Sequence, residues 1–176
     1  TILTGSQDKT VRLWDVATGR PLLRIAVAHG LDYVTQLAFA PDGTRLAMAS
    51  RGAIAPPSTS IWTVASGRGT KRLTGLSGQI ESITVSPDGR RVAVLAQSWE
   101  LGVWDLESGH LNFITDVPTG EFVDNAGLAF APDGETIAYS ASTTDTGTAI
   151  LMDAKTGARL QHWTLPPGLE NRFGFD

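Results

Sequence analysis

Short stretches of five or six residues, in which apolar residues alternate with polar ones or run together, recur along the whole chain. Residues 34–39 and 45–49 flank one Pro-Asp-Gly turn, and residues 80–85 and 91–95 flank a second. Stretches of this length and period are typical of β-strands, and none shows convincing helical periodicity. Pro fixes φ and Gly accepts a positive φ, so Pro-Asp-Gly predicts a tight turn between strands. The pattern therefore predicts an all-β protein.

Two unlike motifs repeat in phase with each other. The first ends in Ser/Thr-Gly and is centred on Trp14, Trp62, Trp104 and Met152, which are 48, 42 and 48 residues apart. The second is Pro-Asp-Gly, which begins at Pro41, Pro87 and Pro132, at spacings of 46 and 45 residues. Two motifs locked to one period indicate a repeat architecture, in which each unit buries its faces against its neighbours.

These motifs resemble the WD40 family, whose repeats end a strand in Trp-Asp, as at Trp14-Asp15 and Trp104-Asp105, and place a Pro-Asp-Gly hairpin upstream. The resemblance covers essentially the whole chain. It implies a β-propeller of four-stranded antiparallel blades, with strands a to d numbered outward from the central channel. The Phe-Ala-Pro-Asp-Gly hairpins, as at residues 39–43, are similar to those of bacterial-type WD40 arrays.

The period divides the chain into blades. We expect a partial first blade of strands b to d at residues 1–26, further blades at 27–73, 74–117 and 118–165, and one more strand a at 166–176. That is four blades' worth of strands, which we expect to belong to a larger ring of seven or eight blades. Two alternatives stay open: two copies forming an eight-bladed ring, or closure of a four-bladed ring by pairing of the terminal strands.

The resemblance also implies a structural network in which a His, a Ser or Thr, an Asp and the Trp hydrogen-bond across a blade. The residues at matching positions are Thr4, Asp8, Trp14, His29, Trp62 and Trp104. The second blade has Met48 at the Ser position. The third has Val94 there and Ser98 at the Asp position, so we expect packing to replace hydrogen bonding. The fourth has Tyr139 and Met152 at the Ser and Trp positions.

In this architecture the d–a and b–c loops share one rim, which is the candidate surface for a protein or peptide partner because loops vary on a rigid scaffold. The candidate contact residues are Asp32, Tyr33, Arg51, Trp99, Glu121, Phe122, Asp124 and Asp145. For Trp99 two interpretations stay open: a binding hot spot, or a residue packed on a neighbouring blade. The small polar residues 140–148 predict a mobile loop.

Composition narrows the classes of function. The net charge of −4 without long charged runs makes nucleic acid an unlikely partner, and no apolar run is long enough for a membrane span. The absence of cysteine excludes disulfides and thiolate metal sites and is compatible with the cytoplasm. His29, His110 and His162 have no metal-ligand spacing, and the chain contains no nucleophile elbow, phosphate loop or dinucleotide fingerprint. We therefore expect no catalytic, cofactor or metal site.

The resemblance implies a non-catalytic protein-interaction scaffold, or a sensor module of a larger signalling protein. Bacterial WD40 arrays are often joined to Ser/Thr kinases or to nucleotide-driven switch proteins, so a bacterial signalling context is an expectation by analogy. Further blades of the same protein, or a second copy of the chain, are the other expected partners. The alternative function is an enzymatic propeller of the hydrolase or lactonase type, with its site at the central channel.

Overall fold

The computed structural model describes residues 1–26, 33–51, 58–117, 127–142 and 147–165, which form four antiparallel sheets and contain no helix. Sheet 1 contains β1 (Ile2–Gly5), β2 (Thr10–Trp14) and β3 (Pro21–Ala26). Sheet 2 contains β4 (Tyr33–Phe39), β5 (Arg45–Arg51), β6 (Ser58–Thr63) and β7 (Arg68–Leu73). Sheet 3 contains β8 (Ile80–Val85), β9 (Arg91–Ala96), β10 (Glu100–Asp105) and β11 (Leu111–Asp116). Sheet 4 contains β12 (Gly127–Phe130), β13 (Thr136–Ser142), β14 (Gly147–Asp153) and β15 (Arg159–Leu165).

Each sheet is a meander in which consecutive strands pair. The all-β propeller-blade architecture predicted from the repeats is confirmed. The register between the last two strands of each sheet shifts at the tryptophan position, where a β-bulge occurs. A bulge bends the strand and re-aims the side chain beside it. The same irregularity therefore marks Trp14, Trp62, Trp104 and Met152.

The sheets bury their faces against one another in chain order. We call the face that carries Trp14, Trp62, Trp104 or Met152 the tryptophan face of its sheet. On sheet 2 this face packs on Val11 and Ile25 of sheet 1, through Leu46 and Met48. The junctions between sheets 2 and 3 and between sheets 3 and 4 are packed in the same way. Ile61 and Trp104 belong to one buried cluster, and Leu101 and Tyr139 belong to another. Every tryptophan face of sheets 2 to 4 thus covers the preceding sheet.

The predicted bounds of one loop are wrong. The loop was expected at residues 140–148, but β13 continues to Ser142 and β14 begins at Gly147, and these two residues pair. Residues 143–146, between the two strands, lie outside the described residues. Small polar side chains fit a strand whose partner supplies the ladder of backbone hydrogen bonds. The strand expected at residues 166–176 lies outside the described residues.

Candidate functional site

The tryptophan of sheet 1 has the partner that the network predicts. Trp14 Nε1 donates a hydrogen bond to Thr4 Oγ1 at 2.8 Å, from β2 to the neighbouring β1. Asp8 bonds within its own turn instead. One carboxylate oxygen accepts from the Thr10 amide at 3.0 Å and from the Thr10 hydroxyl at 2.6 Å, and the other accepts from Arg12 Nη2 at 2.6 Å. The hydrogen bond from the Thr10 hydroxyl lowers the pKa of Asp8.

Sheets 2 and 3 hold their tryptophans differently. Trp62 Nε1 donates to Ser60 Oγ at 2.7 Å, within β6. Trp104 is 1% exposed, and its ring lies directly over Gly102, where any Cβ would overlap the indole. Packing therefore fixes Trp104, as the apolar residues at its network positions predict.

In sheet 4, a different set of side chains stands at the positions of the tryptophan and its neighbours. Met152 stands at the tryptophan position, and Ile150 occupies the place that Gly102 has in sheet 3. Tyr139 is 0% exposed, and its hydroxyl has no hydrogen-bond partner. Burial raises the pKa of Tyr139, so the phenol is neutral at physiological pH.

The carboxylates of the repeated motifs are engaged in turns. Asp105 accepts hydrogen bonds from the amide and the hydroxyl of Ser108, both at 2.6 Å, and Asp153 binds Thr156 in the same way at 2.8 and 2.9 Å. The hydroxyl of Ser108 lowers the pKa of Asp105, and the amide of Thr156 lowers that of Asp153. Asp42 holds its hairpin through Thr44. These groups stabilise turns, as the sequence predicts for aspartates that recur with the repeat.

The opposite end of the sheets carries the b–c turns and the d–a segments, which we call the loop rim. In sheet 3 one carboxylate ties the two kinds of loop together. Glu100 Oε2 accepts hydrogen bonds from the amide of Ser77 at 2.8 Å and from its hydroxyl at 2.7 Å, and it lies 2.6 Å from Ser98 Oγ. Bonds from Ser98 and Ser77 lower the pKa of Glu100. This part of the rim is therefore held rigidly by its own side chains.

Trp99 lies in the same turn, between Ser98 and Glu100. Its φ is +64°, a left-handed conformation that is costly for a residue with a large side chain. Lys9 occupies the equivalent place in sheet 1 and has the same φ. The Trp99 side chain is half-buried and packs against the cluster between sheets 3 and 4. Trp99 therefore packs on a cluster to which sheets 3 and 4 both contribute, while part of its surface is still exposed, so both interpretations of Trp99 stay open.

Comparison with known proteins agrees with this geometry. Residues 1–15 match the family model described as WD domain, G-beta repeat. The chain is 29% identical to Autophagy-related protein 16 of Arabidopsis thaliana over 62% of its length, which is 21% of that protein. It is 28% identical to Periodic tryptophan protein 2 homolog of Schizosaccharomyces pombe over 65% of its length, 13% of that protein. It is 32% identical to THO complex subunit 3 of Arabidopsis thaliana over 60% of its length, 33% of that protein.

The chain is similar to WD40-repeat proteins, and its described sheets have the antiparallel blade form of that family. It spans a third or less of the length of these relatives. Its relatives and its sheets support a non-catalytic protein-interaction scaffold as the general class. Among the described residues, no group of three or more His, Asp or Glu side chains is placed to hold a metal ion. In the same part of the chain, no helix is long and apolar enough to cross a membrane.

Most of the rim contact residues predicted from the sequence lie outside the described residues, namely Asp32, Glu121, Phe122, Asp124 and Asp145. His29 of the predicted structural network also lies outside them. Tyr33 and Arg51 pair with each other at the rim end of β4 and β5, and their side chains are likewise outside the described part. Trp99 is the one predicted contact residue whose side chain is described. Sequence reasoning missed Ser77 and Glu100, and the signal that could have found them is the polar side chain on each side of Trp99.

Proposed function

We propose that this WD40-like chain binds a protein or peptide on the loop rim and performs no chemistry of its own. The observation that carries the proposal is the fixed geometry around Glu100, which joins the d–a segment at Ser77 to the b–c turn at Ser98. A preorganised surface loses little conformational entropy when a ligand binds. The partly exposed Trp99 on this rigid turn offers an anchor of the kind enriched in binding hot spots.

One relative, THO complex subunit 3, is by its name a subunit of a larger assembly. This supports a scaffold role for the present chain within a larger protein or complex. We propose the cytoplasm as its compartment and a bacterial signalling protein as its host. No described feature favours the enzymatic alternative, because the motif carboxylates Asp42, Asp105 and Asp153 are hydrogen-bonded within their turns.

A random peptide library displayed on phage, selected on the whole chain, tests the rim. We expect selected peptides to lose at least about tenfold in affinity on Trp99→Ala. Val16→Ala is the matched control, because Val16 is 63% exposed in a c–d turn at the opposite end of the sheets. Hydrogen exchange on the wild-type chain avoids any folding defect of the variant, and bound peptide should protect residues 77–79 and 97–100. Failure to select a binder, or protection confined to the c–d turns, would contradict the proposal.

The tryptophan face of sheet 1 is a second surface. On sheets 2 to 4 the equivalent face covers the preceding sheet, whereas on sheet 1 Ile2 is 53% exposed and the Trp14–Thr4 pair is solvent-accessible. We propose that further blades of the same protein, or a second copy of the chain, cover it. Light scattering tests the second copy, since a mass of two chains supports it and a mass of one chain contradicts it. A dimer that persists in Trp14→Lys would contradict this face as the interface.

A further inference from the structure

The junction between sheets 3 and 4 contains a pocket that is much larger than the cavity between sheets 2 and 3. It has a volume of about 360 Å³ and is lined by Thr115, Asp116, Tyr139, Ile150, Met152, Gly157 and Arg159. The equivalent place between sheets 2 and 3 holds a cavity of only about 20 Å³, lined in part by Leu73 and Trp104. Leu73 and Thr115 occupy matching positions on their strands, as do Trp104 and Met152.

The side chains at the two junctions explain the difference. At the smaller cavity, Trp104 fills the space with an indole. At the pocket, the shorter thioether of Met152 replaces the indole, and Thr115 replaces a leucine. A volume of several hundred Å³ is in the range of small-molecule sites, whereas a cavity of about 20 Å³ holds one water molecule.

Within the described part of the chain, three polar groups at the pocket have no hydrogen-bond or ion-pair partner. The Tyr139 hydroxyl is fully buried and makes no hydrogen bond. Arg159 and Asp116 are exposed, and within the described part of the chain neither side chain makes a hydrogen bond or an ion pair. A buried hydroxyl without a partner costs free energy, so it marks a place where a ligand atom is expected. Ile150 and Met152 supply an apolar wall beside these groups.

We propose that this pocket binds a small zwitterion of the α-amino-acid type with an apolar side chain. The Arg159 guanidinium and the Tyr139 hydroxyl are donors for the carboxylate of the ligand, and the Asp116 carboxylate accepts from its ammonium group. Ile150 and Met152 contact the apolar side chain. The Tyr139 hydroxyl is buried in the free protein, and the flexible thioether of Met152, which lines the same pocket, allows the wall to adjust around a ligand. The pocket adjoins the loop rim, because Asp116 pairs with Glu100 in the β10–β11 ladder, but Tyr139, Ile150, Met152 and Arg159 are not rim residues, so the proposal does not depend on peptide binding there.

Methyl NMR on the whole chain tests this proposal, with leucine, methionine and phenylalanine as probes. We expect the methyl signals of Met152 and Ile150 to shift on titration. The affinity should fall about fivefold to tenfold in Tyr139→Phe and in Arg159→Gln. The stability of Tyr139→Phe should not fall, because the hydroxyl that it loses has no partner in the free protein. If Tyr139→Phe loses ligand affinity but no folding stability, the Tyr139 hydroxyl has a binding role and not a structural one.

Two truncated ligands test the ligand class. 4-Methylpentanoate lacks the ammonium group of leucine, and 3-methylbutylamine lacks its carboxylate. We expect each to bind at least about tenfold more weakly than leucine. Equal binding of either truncated ligand, unchanged affinity in both variants, or no shift with any of the three amino acids would overturn the proposal.

Discussion

Trp62 donates its indole hydrogen to Ser60, two residues earlier on the same strand, at 2.7 Å. In sheet 1 the partner of Trp14 is Thr4, on the neighbouring strand. Thr4 pairs with Arg12 in the β1–β2 ladder, and the equivalent pair in the β5–β6 ladder is Met48 and Ser60. The hydroxyl that accepts from the indole therefore lies on the strand before the tryptophan strand in sheet 1, and on the tryptophan strand itself in sheet 2.

The Trp62–Ser60 hydrogen bond is half-buried, whereas the Trp14–Thr4 bond is exposed. Removing a hydroxyl leaves a buried indole donor without a partner, while water replaces the partner at an exposed site. We expect Ser60→Ala to lower the free energy of unfolding by about 1 kcal/mol. Thr4→Val, which also removes one hydroxyl, should cost clearly less. Urea unfolding monitored by circular dichroism measures both, and equal losses would contradict this account.

The glycine beneath Trp104 should be intolerant of substitution. A Cβ at Gly102 would overlap the six-membered ring of the indole, and that indole is 1% exposed and surrounded by core. We expect Gly102→Ala to destabilise the chain by about 1–3 kcal/mol, because overpacking forces the surrounding side chains to move. Gly69→Ala is the matched control. Its Cβ would lie 3.2 Å from the ring of Trp62, a contact that a small shift relieves. A similar loss in the two variants, measured by chemical unfolding, would show that glycine itself rather than the indole sets the cost.

The repeats predicted the fold because they report local requirements. Pro-Asp-Gly needs a hairpin turn wherever it stands, as Asp42 shows by bonding Thr44 within its own turn. Trp-Asp followed by Ser/Thr-Gly likewise ends a strand in a turn, as at Asp105 and Ser108. These contacts join residues that are only two or three positions apart, so both partners lie within the repeated motif itself.

The candidate sites depend on contacts between residues far apart in the sequence, within one blade or between blades, which period and spacing do not encode. Glu100 binds Ser77, which is 23 residues earlier, and nothing in the repeat marks that pair. The pocket beside Tyr139 exists because Met152 replaces a tryptophan, but its depth depends on Thr115 in the preceding sheet. The bounds of the loop expected at residues 140–148 were wrong for a related reason, since pairing of Ser142 with Gly147 overrides the preference of small polar residues for loops at both of its ends.

Two arginines at the same position of successive hairpins should differ in their importance. Arg91 has a side chain that is 12% exposed, donates to the carbonyl oxygen of Gly134 at 2.7 Å and lies over the ring of Phe130. Arg45 is 33% exposed and reaches Glu107 at 3.6 Å. We expect Arg91→Ala to cost about 2 kcal/mol, from lost packing and from one charge-assisted hydrogen bond, and Arg45→Ala to cost less than about 1 kcal/mol. Thermal and urea unfolding compare them, and equal costs would contradict the structural distinction.

Acid should selectively weaken the rim around Glu100. Its pKa in the folded chain lies below the ordinary value of 4.5, because Ser98 and Ser77 donate hydrogen bonds to the carboxylate. A carboxyl group with a lowered pKa stabilises the folded state above its unfolded pKa, and this contribution is lost as the pH falls through the folded pKa. We expect the stability difference between the wild type and Glu100→Gln to be constant above about pH 5.5 and to shrink towards pH 3. Ser77→Ala, which removes one donor and keeps the carboxylate, should reduce this pH dependence without abolishing it. Urea unfolding between pH 7 and pH 3 measures all three proteins, and a difference that does not change with pH would show that these bonds do not depend on the charge of Glu100.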